Sequence, residues 1–258
     1  MSTQIDSRAM VSPSAGLGEN VKIGPYATIG DNVKIGPGCR IDSFAQVLGY
    51  TELGKNCHIF PYAVVGNIPQ DLKYKGEKSF LIIGDGNRIR EFTTINPGTE
   101  KGAKTIIGNN NLIMAYSHIA HDCNVGDNNI LANSSTLAGH VDIGSKVVVG
   151  GLVAIHQFCR VGDLAIIGGC SKVVRDIPPY SMCDGHPAKV CGLNLVGLRR
   201  AKFPNKTINV LKNIYDTLFF KGYSFAKAKQ SAKNNTSFSS EIEALFEFIA
   251  SSRRGISK

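Results

Sequence analysis

The sequence predicts a mainly β solenoid that is closed by a small helical segment. Three observations predict this fold. An aliphatic residue returns every six positions, a column of small residues lies two positions before it, and the spacing becomes helical beyond residue 192. A six-residue period matches neither the about 3.6-residue turn of an α-helix nor the two-residue alternation of a strand. It fits one short strand and one turn, repeated.

The aliphatic column runs from Ile5 to Val173. Of its 29 positions, 26 are Ile, Leu or Val, and the exceptions are Asp71, Glu77 and Lys101. The column of small residues includes four of the seven cysteines, which are Cys39, Cys57, Cys123 and Cys159. Since the cysteine count is odd and no CxxC pair occurs, we expect reduced and mostly buried thiols.

The three exceptions fall in two polar, turn-rich stretches, at about 67–80 and 97–105. Both stretches are predicted to be loops that leave the coil without shifting the six-residue repeat on either side. Loops carried on a rigid repeat are natural places for ligand contact. We therefore predict a functional role for the first loop.

The solenoid is expected to end near 176–180, where two prolines remove backbone donors. Further on, an apolar stripe at 208–218 predicts a helix capped by Asn205, and a second stripe at 242–249 predicts a helix after Ser239. An open solenoid end needs a cap. We expect the helices to supply it.

The predicted domains are a β solenoid at 1–191 and a helical domain at 192–258. The helical domain contains 12 Lys and Arg against 4 Asp and Glu, so it carries most of the net charge of +9. A basic segment can bind nucleic acid, a membrane surface or an acidic protein. No nucleic-acid-binding signature accompanies this one, so we expect an acidic protein partner and no nucleic acid. A solvated face without a partner is the alternative.

The sequence contains no apolar run of about 18 residues, the length that a membrane-spanning helix needs. The first residues also lack the basic and apolar regions of a signal peptide. We therefore expect no transmembrane segment and a cytoplasmic location.

The repeat is similar to that of the hexapeptide-repeat proteins. In that family three six-residue units form one triangular coil of a left-handed parallel β-helix, so residues three units apart lie on neighbouring coils. The resemblance implies the left hand, because the usual preference for parallel crossovers is right-handed.

Four histidines lie between positions 118 and 156, and one of them precedes an aspartate. Asp122 and His140 are three repeat units apart, so we expect them on neighbouring coils with His121 beside them. A histidine held by a carboxylate keeps one nitrogen free to accept a proton, as a general base requires. The alternatives are surface turn residues and a zinc site. We expect no metal, because His118-Ile-Ala-His121 does not match the zinc ligands of the γ-class carbonic anhydrases.

Six segments resemble the UDP-N-acetylglucosamine O-acyltransferases of lipid A biosynthesis. These segments are 70–74, 83–90, 118–123, 137–141, 156–159 and 192–200. The resemblance covers nearly the whole chain, and the ordered set is far more specific than the repeat alone. It implies transfer of a (3R)-3-hydroxyacyl group from acyl carrier protein to the 3-hydroxyl of UDP-N-acetylglucosamine. The donor's phosphopantetheine carries the acyl group, and no cofactor is implied.

The resemblance also implies roles for individual residues. His121 matches the general base, Asp122 its orienting partner, and the Gly139 N–H the donor to the oxyanion. The positions that match contacts to the UDP-sugar are Gln70, Asp71, Lys73, His118, His140 and Gln157. Asn194 and Arg200 match a nucleotide or phosphopantetheine region, and Gly169 matches a position that leaves the acyl groove long.

The chain departs from the family at Val196 and Ala201, where relatives carry an acidic and a basic residue, and near His186-Pro187 at the end of the acyl groove.

Family members are homotrimers with active sites between neighbouring β-helices, and acyl carrier protein would be the acidic partner. Two other functions stay open, a hexapeptide N-acyltransferase acting on a UDP-amino sugar and a non-catalytic trimeric scaffold.

Overall fold

A computed structural model describes residues 2–224, 226, 227, 230 and 239–258 of the chain. Its main body is a coil of short parallel strands, and each turn of the coil contributes one strand to each of three sheets. We call them sheets A, B and C. Together with the helical segment that follows, they confirm the predicted fold class, a left-handed parallel β-helix with a small helical part.

In the described part of the chain, sheet A has eleven strands. In spatial order they are β1 (Gln4–Ile5), β4 (Lys22–Ile23), β7 (Arg40–Ile41), β10 (His58–Ile59), β13 (Arg88–Ile89), β16 (Leu112–Ile113), β19 (Ile130–Leu131), β22 (Val148–Val149), β25 (Ile166–Ile167), β27 (Ser181–Gly185) and β28 (Ala188–Leu193). The last pair is antiparallel, and every other neighbouring pair in this sheet is parallel.

Sheet B, which carries His118, has nine strands among the described residues. In spatial order they are β2 (Met10–Val11), β5 (Thr28–Ile29), β8 (Gln46–Val47), β11 (Val64–Val65), β14 (Thr94–Ile95), β17 (His118–Ile119), β20 (Thr136–Leu137), β23 (Ala154–Ile155) and β26 (Lys172–Val173).

Sheet C has eight strands within the residues that the structure describes. In spatial order they are β24 (Arg160–Val161), β21 (Asp142–Ile143), β18 (Asn124–Val125), β15 (Lys104–Ile107), β12 (Phe80–Ile83), β9 (Thr51–Leu53), β6 (Lys34–Ile35) and β3 (Gly16–Leu17).

The register shows how the two loops enter the coil. Over most of its length a residue pairs with the one three hexapeptide units further along, as Ile5 pairs with Ile23. The separation grows to five units between Ile59 and Ile89, and it is four units between Ile89 and Ile113. Both insertions are whole hexapeptide units, so the predicted phase is preserved.

The loop bounds need correction. The first loop lies between β11 and β12 and the second between β14 and β15, so Phe80, Lys104 and Thr105 belong to strands. These residues pair across sheet C, where Phe80 lies opposite Lys104. Aromatic and charged side chains on the outer face of a strand look like loop residues in the sequence, and this explains the difference.

The aliphatic column forms the core. Ile59, Ile89 and Ile95 are fully buried, as are most other members of the column. The thiols are all free, and five of the seven are buried, which include Cys39, Cys57, Cys123 and Cys159. Desolvation raises the pKa of the Cys123 thiol to about 12, so this side chain behaves as a small apolar group.

The helices whose bounds the structure describes follow the hairpin of β27 and β28. They are α1 (Leu195–Arg200), α2 (Asn205–Tyr215), which continues as a π-helical turn (Asp216–Phe220), and α3 (Ser240–Ala250). Pro204 is the N-cap of α2 and makes no side-chain capping bond, so the prediction that Asn205 caps this helix is wrong. Proline fixes the backbone there, and Asn205 becomes the first helical residue.

The helical part packs on the last coils. The Tyr215 hydroxyl donates to the Pro179 carbonyl, and Ser252 donates to Asp176 at 2.8 Å. The expected boundary after Cys191 falls inside β28, so the last strand joins the two predicted domains directly. No helix in the described part of the chain is both long and apolar enough to span a membrane.

Candidate active site

The clustered histidines lie where the coil turns from sheet B to sheet C. His118 is on the outer face of β17, and His121 and Asp122 form the turn that follows. The corner residues Asp122, His140 and Phe158 have φ near +60°, on three successive coils. The left-handed backbone makes each turn sharp and directs these side chains to one edge of the coil.

His121 and Asp122 form a hydrogen-bonded dyad. The Nδ1 atom of His121 lies 2.9 Å from Oδ2 of Asp122, and both side chains are largely buried. Thr99, in the second loop, donates to the same oxygen from its hydroxyl at 2.7 Å and from its N–H at 3.2 Å. Because the carboxylate is an acceptor, Nδ1 of His121 carries the proton and Nε2 is the basic nitrogen.

His140 lies on the next coil, as its spacing from Asp122 predicts. Its N–H donates to the His121 carbonyl at 3.0 Å, and its Nε2 is 3.8 Å from Oδ2 of Asp122. The two imidazole rings meet edge to face, with centroids 5.2 Å apart. The ring of Phe158 stacks on His140 with centroids 4.7 Å apart. This stack fixes the plane of the His140 ring beside the dyad.

His118 is held from the coil before it. Its Nδ1 lies 2.7 Å from the hydroxyl of Thr94. Burial lowers the pKa of His118 below its ordinary value, and the nearby His121 lowers it further. The neutral imidazole is therefore the favoured form, and it can donate or accept one hydrogen bond toward the site.

The first loop brings a second carboxylate to the dyad. Oδ2 of Asp71 is 3.7 Å from Nε2 of His121, and its other oxygen accepts the N–H of Lys73 at 2.9 Å. Asp71 thus faces the nitrogen that is free to take a proton. Lys73 and Gln70 are exposed beside it.

Gly139 lies directly under the His121 ring. A Cβ atom at this position would be 2.4 Å from Cε1 and 2.6 Å from Nε2 of that ring. Only glycine permits this packing. The Gly139 N–H has no hydrogen-bond partner among the described residues, so it can donate to a ligand beside His121.

The dyad and His140 also resemble a metal-ligand set. One ligand atom from each of His121, Asp122 and His140 lies within 4.8 Å of the others. A zinc ion would need its nitrogen and oxygen ligands at about 2.0–2.2 Å. The Oδ2 atom of Asp122 instead accepts three hydrogen bonds, so it is engaged as a hydrogen-bond acceptor that fixes the orientation of the His121 ring.

Comparisons with known proteins identify the family. Residues 14–49, 32–67 and 104–139 match a family model described as bacterial transferase hexapeptide repeats. Residues 176–257 match the model of the second domain of UDP-N-acetylglucosamine O-acyltransferase. The acyl-[acyl-carrier-protein]--UDP-N-acetylglucosamine O-acyltransferase of Sulfurovum sp. (strain NBC37-1) is 50% identical over 253 residues, which are 98% of this chain and 96% of that protein.

The chain belongs to the UDP-N-acetylglucosamine O-acyltransferase family. Two solved structures agree over their full length. The UDP-N-acetylglucosamine acyltransferase from Campylobacter jejuni is 43% identical with a TM-score of 0.92, and covers 98% of this chain and 99% of its own. The UDP-N-acetylglucosamine acyltransferase from Bacteroides fragilis 9343 is 41% identical with a TM-score of 0.95, and the match covers 99% of this chain and 100% of that one.

Other residues that match family positions lie away from the dyad. The Asn194 amide donates to the Leu164 carbonyl at 2.7 Å and accepts the N–H of Gly197, so it caps α1. Arg200 is exposed in the last turn of the same helix. Within the described residues, no hydrogen bond or ion pair joins either of them to His121.

The remaining matched positions are on the surface of the coil. Gln157 is exposed, and its carbonyl is 3.2 Å from Nδ1 of His156. Gly169 is exposed at the corner between sheets A and B, where an added Cβ would meet the Gly151 carbonyl at 3.3 Å. The family departure at Val196 is an exposed residue of α1.

Three residues of the site were not predicted from the sequence. Thr94 holds His118, Thr99 holds Asp122, and Phe158 supports His140. Phe158 lies three hexapeptide units beyond His140, so the repeat does predict that the two residues lie on neighbouring coils. Thr99 is in a loop, and no periodicity could assign it to Asp122.

Proposed function

We propose that this chain transfers a (3R)-3-hydroxyacyl group from acyl carrier protein to the 3-hydroxyl of UDP-N-acetylglucosamine, with His121 as the general base. Family membership supports the reaction, which opens lipid A synthesis. The observation that supports the base is the bond from Nδ1 of His121 to Asp122, which leaves Nε2 free to accept a proton.

The proton moves in two steps. Nε2 of His121 takes it from the sugar hydroxyl as the oxygen attacks the thioester carbon, and Asp122 stabilises the imidazolium that forms. Collapse of the tetrahedral intermediate breaks the carbon–sulfur bond, and the departing thiolate takes the proton back from His121. Asp71, beside the same nitrogen, is placed to accept a hydrogen bond from the sugar. No atom changes oxidation state, so the reaction needs no redox cofactor.

The intermediate carries a negative charge on the former carbonyl oxygen. The N–H of Gly139 is the proposed donor to it, because this group has no partner among the described residues and lies beneath the His121 ring. An oxyanion donor of this kind contributes about 10²- to 10³-fold to the rate. The proposed UDP-sugar contacts are Gln70, Asp71, Lys73, His118, His140 and Gln157, and Gly169 is the proposed wall of the acyl groove.

The proposed assembly is a homotrimer with sites between neighbouring coils. Asn194 and Arg200 make no hydrogen bond or ion pair with His121 in the described part of their own chain, and a neighbouring copy can supply them. The proposed protein partner is acyl carrier protein, which would meet the basic segment at 192–258. A particle mass from light scattering tests the trimer. A donor KM that stays constant between low and high salt would exclude electrostatic steering.

The reaction is tested by mass spectrometry of purified protein with UDP-N-acetylglucosamine and a panel of 3-hydroxyacyl carrier proteins. We expect one acylated UDP-sugar that alkali cleaves, as an ester requires. We expect His121→Ala to lower kcat by about 10²- to 10⁴-fold.

The matched control is His58→Ala. His58 also forms a pair with an aspartate, since its Nε2 is 2.7 Å from Asp42, but it lies on sheet A in an earlier coil. Its removal is expected to leave the rate unchanged. An alkali-stable product would instead indicate an N-acyltransferase, and full activity of His121→Ala would refute the proposed base.

A further inference from the structure

A cleft of about 330 Å³ opens beside the dyad, between the two extruded loops and the coil. Its lining includes Asp71, which faces His121, Thr99, which holds Asp122, and His140. The cleft is therefore continuous with the proposed active site. Three lysines line it as well, which are Lys73, Lys75 and Lys101.

The three ammonium groups are available to a ligand. All three lysines are exposed, and none makes an ion pair within 4.0 Å of a carboxylate in the described part of the chain. Two of them, Lys73 and Lys75, follow Asp71 in the first loop, whereas Lys101 comes from the second. Residues from two separate insertions thus present positive charge to one space.

Most of the acidic side chains in the cleft are already engaged. Asp71 accepts the N–H of Lys73 and faces His121. Glu77 accepts the N–H of Lys75 at 2.6 Å, and this backbone bond lowers the pKa of its carboxyl. Glu100 is the one acidic lining residue whose carboxylate accepts no hydrogen bond from the described residues. The lining thus balances three carboxylates against three ammonium groups, and the lysine ammonium groups are donors that no acceptor in the described part of the chain engages.

A phosphoryl group is the ligand that this chemistry fits. Lysine ammonium groups bind phosphate as mobile point charges with three donors each. We propose that Lys75 and Lys101 bind phosphoryl oxygens of a substrate in the cleft beside His140. The inference rests on the proposed function, whose two substrates both carry such oxygens, the diphosphate of the UDP-sugar and the phosphodiester of the carrier's phosphopantetheine.

The test uses Lys75→Gln, Lys101→Gln and the double variant in the full-length protein. We expect each single change to raise one substrate's KM by roughly 3- to 10-fold with little change in kcat, because a charge–phosphate contact is lost in both the ground state and the transition state. Lysine-to-arginine variants should recover most of the affinity. Isothermal titration with UDP-N-acetylglucosamine in the absence of donor measures binding separately.

Two neighbouring lysines serve as matched controls. Lys78 belongs to the first loop, but its ammonium lies over the Tyr50 ring, 4.3 Å from the centroid. Lys104 follows the second loop on β15 and does not line the cleft. Lys78→Gln and Lys104→Gln remove the same charge close to the same loops, and we expect neither to change KM. These two controls distinguish the loss of a contact inside the cleft from a general loss of positive charge near the loops.

The outcomes are distinct. A higher KM and weaker binding for the UDP-sugar alone assign the lysines to its diphosphate, and a higher KM for acyl carrier protein alone assigns them to the pantetheine phosphodiester. Unchanged KM and binding in the double variant overturn the inference. Wild-type protein that transfers no acyl group overturns the proposed reaction, and in that case the titration still decides whether the lysines bind the UDP-sugar.

Discussion

Replacing Gly139 by alanine is the sharpest test of the site, because its effect on geometry can be worked out. The new Cβ would be 2.4 Å from Cε1 of His121, and ordinary contact begins at 3.4 Å, so the ring must move by about 1 Å. Such a movement breaks or lengthens the 2.9 Å bond to Asp122 and withdraws Nε2 from the acceptor. A misplacement of this size costs about 10²-fold in rate.

That loss corresponds to about 2.7 kcal/mol of transition-state stabilisation. It should appear in kcat/KM for the purified variant, while the midpoint of thermal unfolding changes little, because His121 is not part of the hydrophobic core. Gly16→Ala is the matched control, since its Cβ would find its nearest neighbour at 3.8 Å. A folded Gly139→Ala protein that keeps more than a third of wild-type kcat/KM would refute the assignment of His121.

Three further changes test single contacts. Asp122→Asn should lower kcat by about 10²-fold or more, measured by steady-state kinetics, because the amide no longer fixes the tautomer of His121. Burial lowers the pKa of His118, so on acidification the unfolded state binds a proton before the folded state does. The free energy of unfolding should therefore decrease as the pH drops below about 6.5, and it should decrease less for His118→Gln. Urea titrations from pH 7 to 5 measure both. Tyr215→Phe should lower the free energy of unfolding by about 1–3 kcal/mol in urea, since Pro179 loses its donor.

Periodicity made most of the fold predictable. The aliphatic column assigned the buried core from Ile23 to Val173, although Ile5 at its start lies exposed on the end coil, and the spacing of three repeat units placed Asp122 and His140 on adjacent coils. Both inferences depend only on which residues share a phase. The left-handedness of the coil leaves no such pattern in the sequence, and only the family resemblance implies it.

The predictions that were wrong or missing concern features without a period. The sequence pattern places the strand residues Phe80 and Lys104 in loops because their outward side chains are not aliphatic. The polar side chain of Asn205 predicts a cap there, but proline at the preceding position fixes the backbone and takes the N-cap position. The contact from Thr99 to Asp122 depends on the path of a loop, which side-chain type alone does not specify.

The insertions explain how a rigid repeat can carry both fixed and variable chemistry. Because the first adds two whole hexapeptide units and the second adds one, the strands on either side remain in register, and the turn that holds His121 and Asp122 keeps its geometry. The loops then reach back over that turn. Thr99 donates to the Asp122 carboxylate, Asp71 faces His121, and the lysines supply positive charge. Changes at the loop lysines can therefore alter substrate affinity without moving His121, the proposed base, whereas any side chain at Gly139 would displace the His121 ring.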